Sequence, residues 1–279
     1  MNRIVVVIVL LGLSLLAPVS ADGDALPIVK KAFDAARANE AIARNYVFHE
    51  RILDRHLNKK GQEKSRESMT YDVTLLDSSE YRRLIAINDK PLLPKAAAKE
   101  QRKIEKWIDK MRNETPRQRK KRLAKVEKGR EEAEAFLEEI TRAFEFRLIG
   151  EEDVSGVATH VISAEPRAGY KPTSREAKVL AKVHGTLWIS RDEHAWVKAD
   201  LETTGNITYL IVFKLRKGAR IQFTQRKIND EVWMGESYSV NFRAKLALVV
   251  RANHEIIGSY SNFRKFTTDS TDIHGSVDP

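Results

Sequence analysis

Residues 238–250 read YSVNFRAKLALVV. Tyr238, Val240, Phe242, Ala244, Leu246, Leu248 and Val250 fall on every second position, with Ser239, Asn241, Arg243 and Lys245 between them. A period of two places one set on each face of a β-strand, so this run belongs to a sheet with one apolar face. Upstream, Ile207, Tyr209, Ile211, Phe213 and Leu215 repeat the pattern, and Lys217-Gly218 reads as a hairpin turn into residues 219–227. Residues 256–266 make a last strand.

The same period governs the N-terminal half. YVFHERILDRHL (46–57) meets a turn at 58–61, and residues 63–77 return from it, followed by a third strand over 81–88. Asp89-Lys90-Pro91 and Pro94 stop that sheet. Further strands are expected at 146–150, 158–164, 186–190 and 196–202, with a short helix at 174–182. The count is about ten strands, many joined by tight turns. That predicts an α+β fold with one large curved antiparallel sheet, an unclosed half-barrel, and helices across its concave mouth.

Helical periodicity is confined to a few places. Residues 25–44 carry Leu26, Val29, Phe33, Ala36 and Ile42 on one face. Ile104, Trp107, Ile108 and Met111 recur at i, i+3, i+4 and i+7. Thr115-Pro116 then has the form of an N-cap with Pro in the first turn, opening a second helix whose stripe runs Leu123, Val126, Ala133, Phe136, Leu137, Ile140, Phe144. This helical insertion spans 95–143 of a single domain over 22–266, and 267–279 is expected to be a disordered polar tail.

The insertion also holds the charge. Between Lys95 and Arg130 stand fifteen Lys/Arg against five Asp/Glu, an excess equal to the +10 of the whole chain. A solvated helix face, an anionic membrane surface and nucleic acid compete to explain it. For a surface contact the candidates are Arg117, Arg119, Lys120, Lys121, Arg122 and Lys125. At about 1 kcal/mol per cation near an anionic leaflet, five of them give weak, reversible docking.

Compartment decides against nucleic acid. Arg3, the uncharged run Ile4–Leu16 and the small residues Val19-Ser20-Ala21 read as a secretory signal over 1–21. Thirteen apolar residues are too few for a span of roughly 20, so the expectation is a cleaved leader and a periplasmic or otherwise exported chain without an anchor. With no cysteine, lipid attachment at a lipobox cysteine, disulfides and thiol catalysis are excluded.

Catalytic motifs are absent: no GxSxG turn, no phosphate-cradling glycine loop and no HExxH. The chain is therefore read as non-enzymatic, with no cofactor. Seven histidines are scattered over strands and turns; none forms a helical pair, and no metal site is assigned, although one assembled from distant strands stays open. His49 and His56 are an odd number apart and point to opposite faces. His49, Glu50 and Asp54 are read as a polar strand edge.

GTLWISRDEHAWVKADLE (185–202), INDEVWMGESYSVNFRAKL (228–246) and the closing YSNFRKF (260–266) resemble the C-terminal half of the LolA/LolB-like bacterial carriers, and DKPLLPKAAAKEQRKIEKWI (89–108) resembles the helical insertion of uncharacterised exported members of that group. The resemblance implies an apolar concave cavity that takes acyl chains of a lipid or a lipidated protein. The insertion is longer and more basic than the carriers' lid helices, and no residue matches their lid-holding arginine, so no functional residue is carried over. On this reading Tyr209, Ile211, Phe213, Val240, Phe242, Leu246, Leu248 and Trp107 are the candidate ligand contacts. An envelope protein that binds a partner polypeptide without a lipid is the alternative.

Overall fold

A computed structural model describes residues 23–76, 79–174, 176–209, 213–246 and 250–265. The leader and the tail read from the sequence lie outside them. One antiparallel sheet of fourteen strands dominates, running β1 (Gly23–Asp24), β6 (Phe144–Val154), β7 (Val157–Pro166), β8 (Val183–Ser190), β9 (Trp196–Thr203), β12 (Arg220–Ile228), β13 (Val232–Leu246), β14 (Val250–Lys265), β2 (Tyr46–Leu57), β3 (Glu63–Leu76), β4 (Ser79–Ile87), β5 (Lys90–Pro91). The sheet does not close: β1 and β5 are its ends. Three α-helices are described: α1 (Leu26–Ala43), α2 (Pro94–Arg112) and α3 (Pro116–Ala143), with a 3-10 helix at Glu176–Lys182.

Tight turns explain the meander. At Asn88-Asp89, Ser155-Gly156 and Asn229-Asp230 both residues have positive φ, the backbone that lets strands reverse without splaying. α3 opens on a capping box: the Gln118 N–H donates to Thr115 Oγ1 at 3.3 Å, and the Thr115 N–H donates to Gln118 Oε1 at 2.8 Å. The N-cap read from Thr115-Pro116 is in place.

Two readings of strand extent need correction. Residues 207–215 are not one strand: β10 (Ile207–Tyr209) and β11 (Phe213–Leu215) pair with each other, and β11 also pairs with the end of β13. Lys217-Gly218 therefore does not join paired neighbours, since β12 pairs with β9 and β13. Thr203 holds this turn instead. Its carbonyl accepts from the Gly218 N–H at 2.8 Å and its Oγ1 from the Ala219 N–H at 3.0 Å. Likewise the alternation of 238–250 runs through a reversal, because Val250 already belongs to β14 and pairs with Leu246. Alternation reports a face, and a short reversal between two strands of the same face leaves it unbroken.

Cross-strand partners share a face, so register divides the sheet. The row Leu187, Ala199, Phe223, Tyr238, Gly258, Ile52, Met69 lies on one side, called here the inner face. Over β6–β9 that face is packed solid. Val29, Ala32 and Phe33 of α1, Ala143 at the end of α3 and Leu180 of the 3-10 helix meet Phe144, Phe146, Ile162, Leu187 and Ile189, with Phe136 and Ile140 beside them. Asn39 fastens α1 to β13 by bonding the Trp233 carbonyl at 2.7 Å and N–H at 2.8 Å.

Candidate functional site

The helices do not treat the two halves of the sheet alike. α1 and the C-terminal half of α3 lie on the inner face, as expected of helices across a mouth. α2 does not join them. Its Trp107 ring packs on Tyr81 at 5.2 Å, and Gln101 accepts from Arg83 at 3.0 Å. On β4, Tyr81 and Arg83 alternate with Arg82 and Leu84, which carry the inner face. α2 is thus on the outer side, and its Ile104/Trp107/Ile108/Met111 stripe serves that contact. The described helices pack mainly on β4, β6, β8 and β13, and the inner face of β14, β2 and β3, which they leave largely uncovered, is called the trough below.

The base of the trough is closed by Tyr46, Phe48, Val232, Met234 and Phe263. Above it comes a polar row. Glu50 is 6% exposed; it accepts from Arg82 and, at 3.1 Å, from the Tyr238 hydroxyl. Arg82 also lies 4.9 Å from the centre of the Tyr71 ring. Burial first, and the neighbouring Glu50 charge second, push the Tyr238 phenol above its ordinary value and that of Tyr260 up to about 12. Both stay protonated at neutral pH and can donate.

Glycines make room for these rings. A Cβ on Gly258 would stand 2.0 Å from Tyr238 Cε1, and one on Gly235 would stand 2.8 Å from Tyr260 Cε2. Each tyrosine lies flat across a neighbouring strand where only glycine leaves the space. The buried carboxylate is thereby satisfied by one cation and by hydroxyls, as its burial requires.

Beyond the polar row come apolar side chains, with the acids Asp54 and Glu67 among them. Ile52, Met69, Leu84, Val240, Phe242 and Ile256 are half-buried on this side. Asp54 of β2 pairs with Ile256 of β14, and His56 and His254 form the next row. Of the ligand contacts expected from sequence, Val240 and Phe242 reach the trough. Tyr209, Phe213 and Leu246 hold paired backbone positions where β10 and β11 meet the end of β13. Ile211 and Leu248 lie outside the described residues. Trp107 is separated from the others by the thickness of the sheet.

The polar edge read for His49, Glu50 and Asp54 is not an edge, since β2 is paired on both sides by β14 and β3: His49 faces outward, 3.7 Å from Asp72, and the two acids face inward. Sequence reading missed Glu50–Arg82–Tyr238 and Asp54–His56–His254. Both are cross-strand groups, and their only signal is strand register, which one sequence does not specify.

Of the basic candidates, Arg117, Arg119, Lys120, Lys121 and Lys125 are exposed on the N-terminal half of α3. Arg122 instead pairs with Glu114 at 2.9 Å. Between this stretch and Arg44 at the end of α1 runs a cleft of about 700 Å³, floored by Leu123, Ala124 and Val126. Farther along α3, Arg37 of α1 bonds Glu134 at 2.8 Å. Glu139, 3% exposed, accepts from the Tyr170 hydroxyl, the Thr173 N–H at 3.2 Å and Thr173 Oγ1 at 2.7 Å, and pairs with Arg142. The Tyr170 and Thr173 bonds hold its carboxyl down at about 2. Among the described residues no helix is long and apolar enough to cross a membrane.

No protein-family model matches the chain, and no curated protein does. Solved structures similar to it include a domain from Vibrio parahaemolyticus assigned to outer membrane lipoprotein sorting, at 12% identity and a TM-score of 0.36 over 87% of this chain and 95% of that one. A DUF1329 family protein from Desulfovibrio piger is similar at 13% and 0.28, over 87% and 95%. A LolA superfamily protein from Nitrosomonas europaea is similar at 9% and 0.29, over 88% and 94%.

Proposed function

We propose that the chain is a non-catalytic carrier or sensor, working outside the cytoplasm, that binds an amphiphile on the uncovered half of its inner face. One observation carries this reading: the protein's own helices pack on one half of that face, and on the other half Ile52, Met69, Val240, Phe242 and Ile256 stay half-buried between polar rows. Ile52, Met69, Val240, Phe242 and Ile256 would take the acyl chain. The polar row around Glu50 and Arg82 closes the trough at one end. A sixteen-carbon chain buried there gains roughly 12 kcal/mol gross, at about 0.8 kcal/mol per CH₂, and association costs take back a large part of it. The exposed cations at the start of α3 would add attraction to anionic headgroups.

The test is titration with a fluorescent fatty acid, alongside native mass spectrometry of protein purified from membranes. Phe242→Glu, which places a carboxylate among the acyl contacts, should abolish uptake, and its urea midpoint separates loss of the site from loss of the fold. Absence of bound lipid and of uptake in the unaltered chain would refute the proposal. The α1–α3 cleft, with Leu123 43% exposed, favours a second reading, in which a partner polypeptide lies against α3. That reading predicts binding insensitive to Phe242→Glu and abolished by Leu123→Glu.

A further inference from the structure

At the open end of the trough, Asp54, His56 and His254 bring three metal-ligating side chains together from two paired strands. His254 stands opposite His56 in register, and Asp54 is two residues before His56 on the same face. His254 Nδ1 is 2.8 Å from Asp54 Oδ1, His56 Nε2 is 3.7 Å from Asp54 Oδ2, and the two imidazoles are 4.2 Å apart. One ligand atom from each residue lies within 4.8 Å of the others. We propose that these three residues form a binding site for a divalent transition-metal ion of the zinc class, independent of any lipid in the trough.

The chemistry fits the donors. Imidazole and carboxylate together suit zinc and its neighbours, whereas calcium and magnesium take oxygen alone. Ligands about 2.1 Å from a tetrahedral ion are about 3.4 Å apart; the Asp54–His254 pair at 2.8 Å opens slightly to reach that, and exposed His56 rotates inward. Asp54 and His254 are already within hydrogen-bond distance of each other, so two of the three ligands are in place before an ion arrives. Phe242 stacks on His254 at 5.6 Å and 11°, fixing one imidazole in the way an outer shell orients a ligand. Water would fill the fourth position, as in other open sites with three protein ligands. Two strands inside a wide sheet hold all of this more firmly than a loop would.

Calorimetric titration of the untagged chain with zinc chloride tests the site, with the cobalt(II) visible spectrum as a second readout. One ion per chain is expected. His254→Ala, His56→Ala and the near-isosteric Asp54→Asn should each weaken it by about tenfold or more, the loss that follows even when an outer partner of a ligand is removed. His49→Ala, on the outer face, should leave affinity unchanged. Urea midpoints identify any variant that loses its fold, and Asp54→Asn carries the test if a histidine variant does. No binding by the unaltered chain, or equal effects of His49→Ala and His254→Ala, overturns the proposal.

Discussion

Glu139 ties α3 to the loop at residues 167–174, and replacing it with glutamine should loosen that end of the inner-face cover in a pH-dependent way. The carboxylate accepts three hydrogen bonds from Tyr170 and Thr173 and pairs with Arg142. Hydrogen bonds to a charged group contribute about 1.5–3 kcal/mol each and are not additive. Glutamine keeps one acceptor oxygen and presents an amide to donors, so a net loss of about 2–3 kcal/mol at pH 7 is expected. The folded-state pKa is depressed from 4.5 to about 2. The unfolded chain therefore takes up this proton at a pH where the native chain does not, and the stabilisation is present above about 4.5 and fades as pH falls towards 2. Urea unfolding of both chains at pH 7, 5, 4 and 3 should show a gap that is constant down to pH 5 and narrower at pH 4 and 3. A gap independent of pH would refute the assignment of a charged Glu139, and no gap at all would refute the tether.

Three further outcomes follow from contacts already described. Gly258→Ala should displace the Tyr238 ring and weaken its bond to Glu50; a cost of about 1–3 kcal/mol is expected from overpacking, largely relieved in the double variant with Tyr238→Ala. Trp107→Ala should raise hydrogen exchange across residues 94–112 while lowering global stability by only about 1 kcal/mol, the scale of one aromatic pair on a half-exposed face. Reversing Arg119, Lys120 and Lys121 to Glu should weaken co-sedimentation with anionic vesicles by about tenfold or more, at about 1 kcal/mol per cation, with the difference vanishing at high salt; equal sedimentation at low salt would show that this helix face plays no part.

The elements were legible because their signals are local. Tyr46–Leu57 was bounded to the residue, and Thr115-Pro116 marked the start of α3, since alternation and capping each concern neighbours in the chain. Partner choice was not legible. Ile207 to Leu215 reads as one strand because its alternation survives a reversal, and only the β10–β11 pairing reveals the break. Trp107 was placed among the ligand contacts because an apolar stripe states that a helix is covered, not by which face of which strand. The trough was half legible: Val240 and Phe242 came from periodicity. Glu50–Arg82 and Asp54–His254 join residues far apart in the chain, and register alone puts them together.

A sheet this wide that never closes has the means to recruit copies of itself, yet its two margins are poor templates. On one margin Pro91 lacks an amide proton, β5 offers two residues, and α2 lies beside β4. On the other, β6 beyond its short pairing with β1 bulges at Ile149 and continues as Glu151, Glu152 and Asp153. An incoming strand would find missing donors at one rim and crowded negative charge at the other. The molecule can thus keep an apolar hollow open to solvent without inviting the sheet-to-sheet growth that ends in fibres.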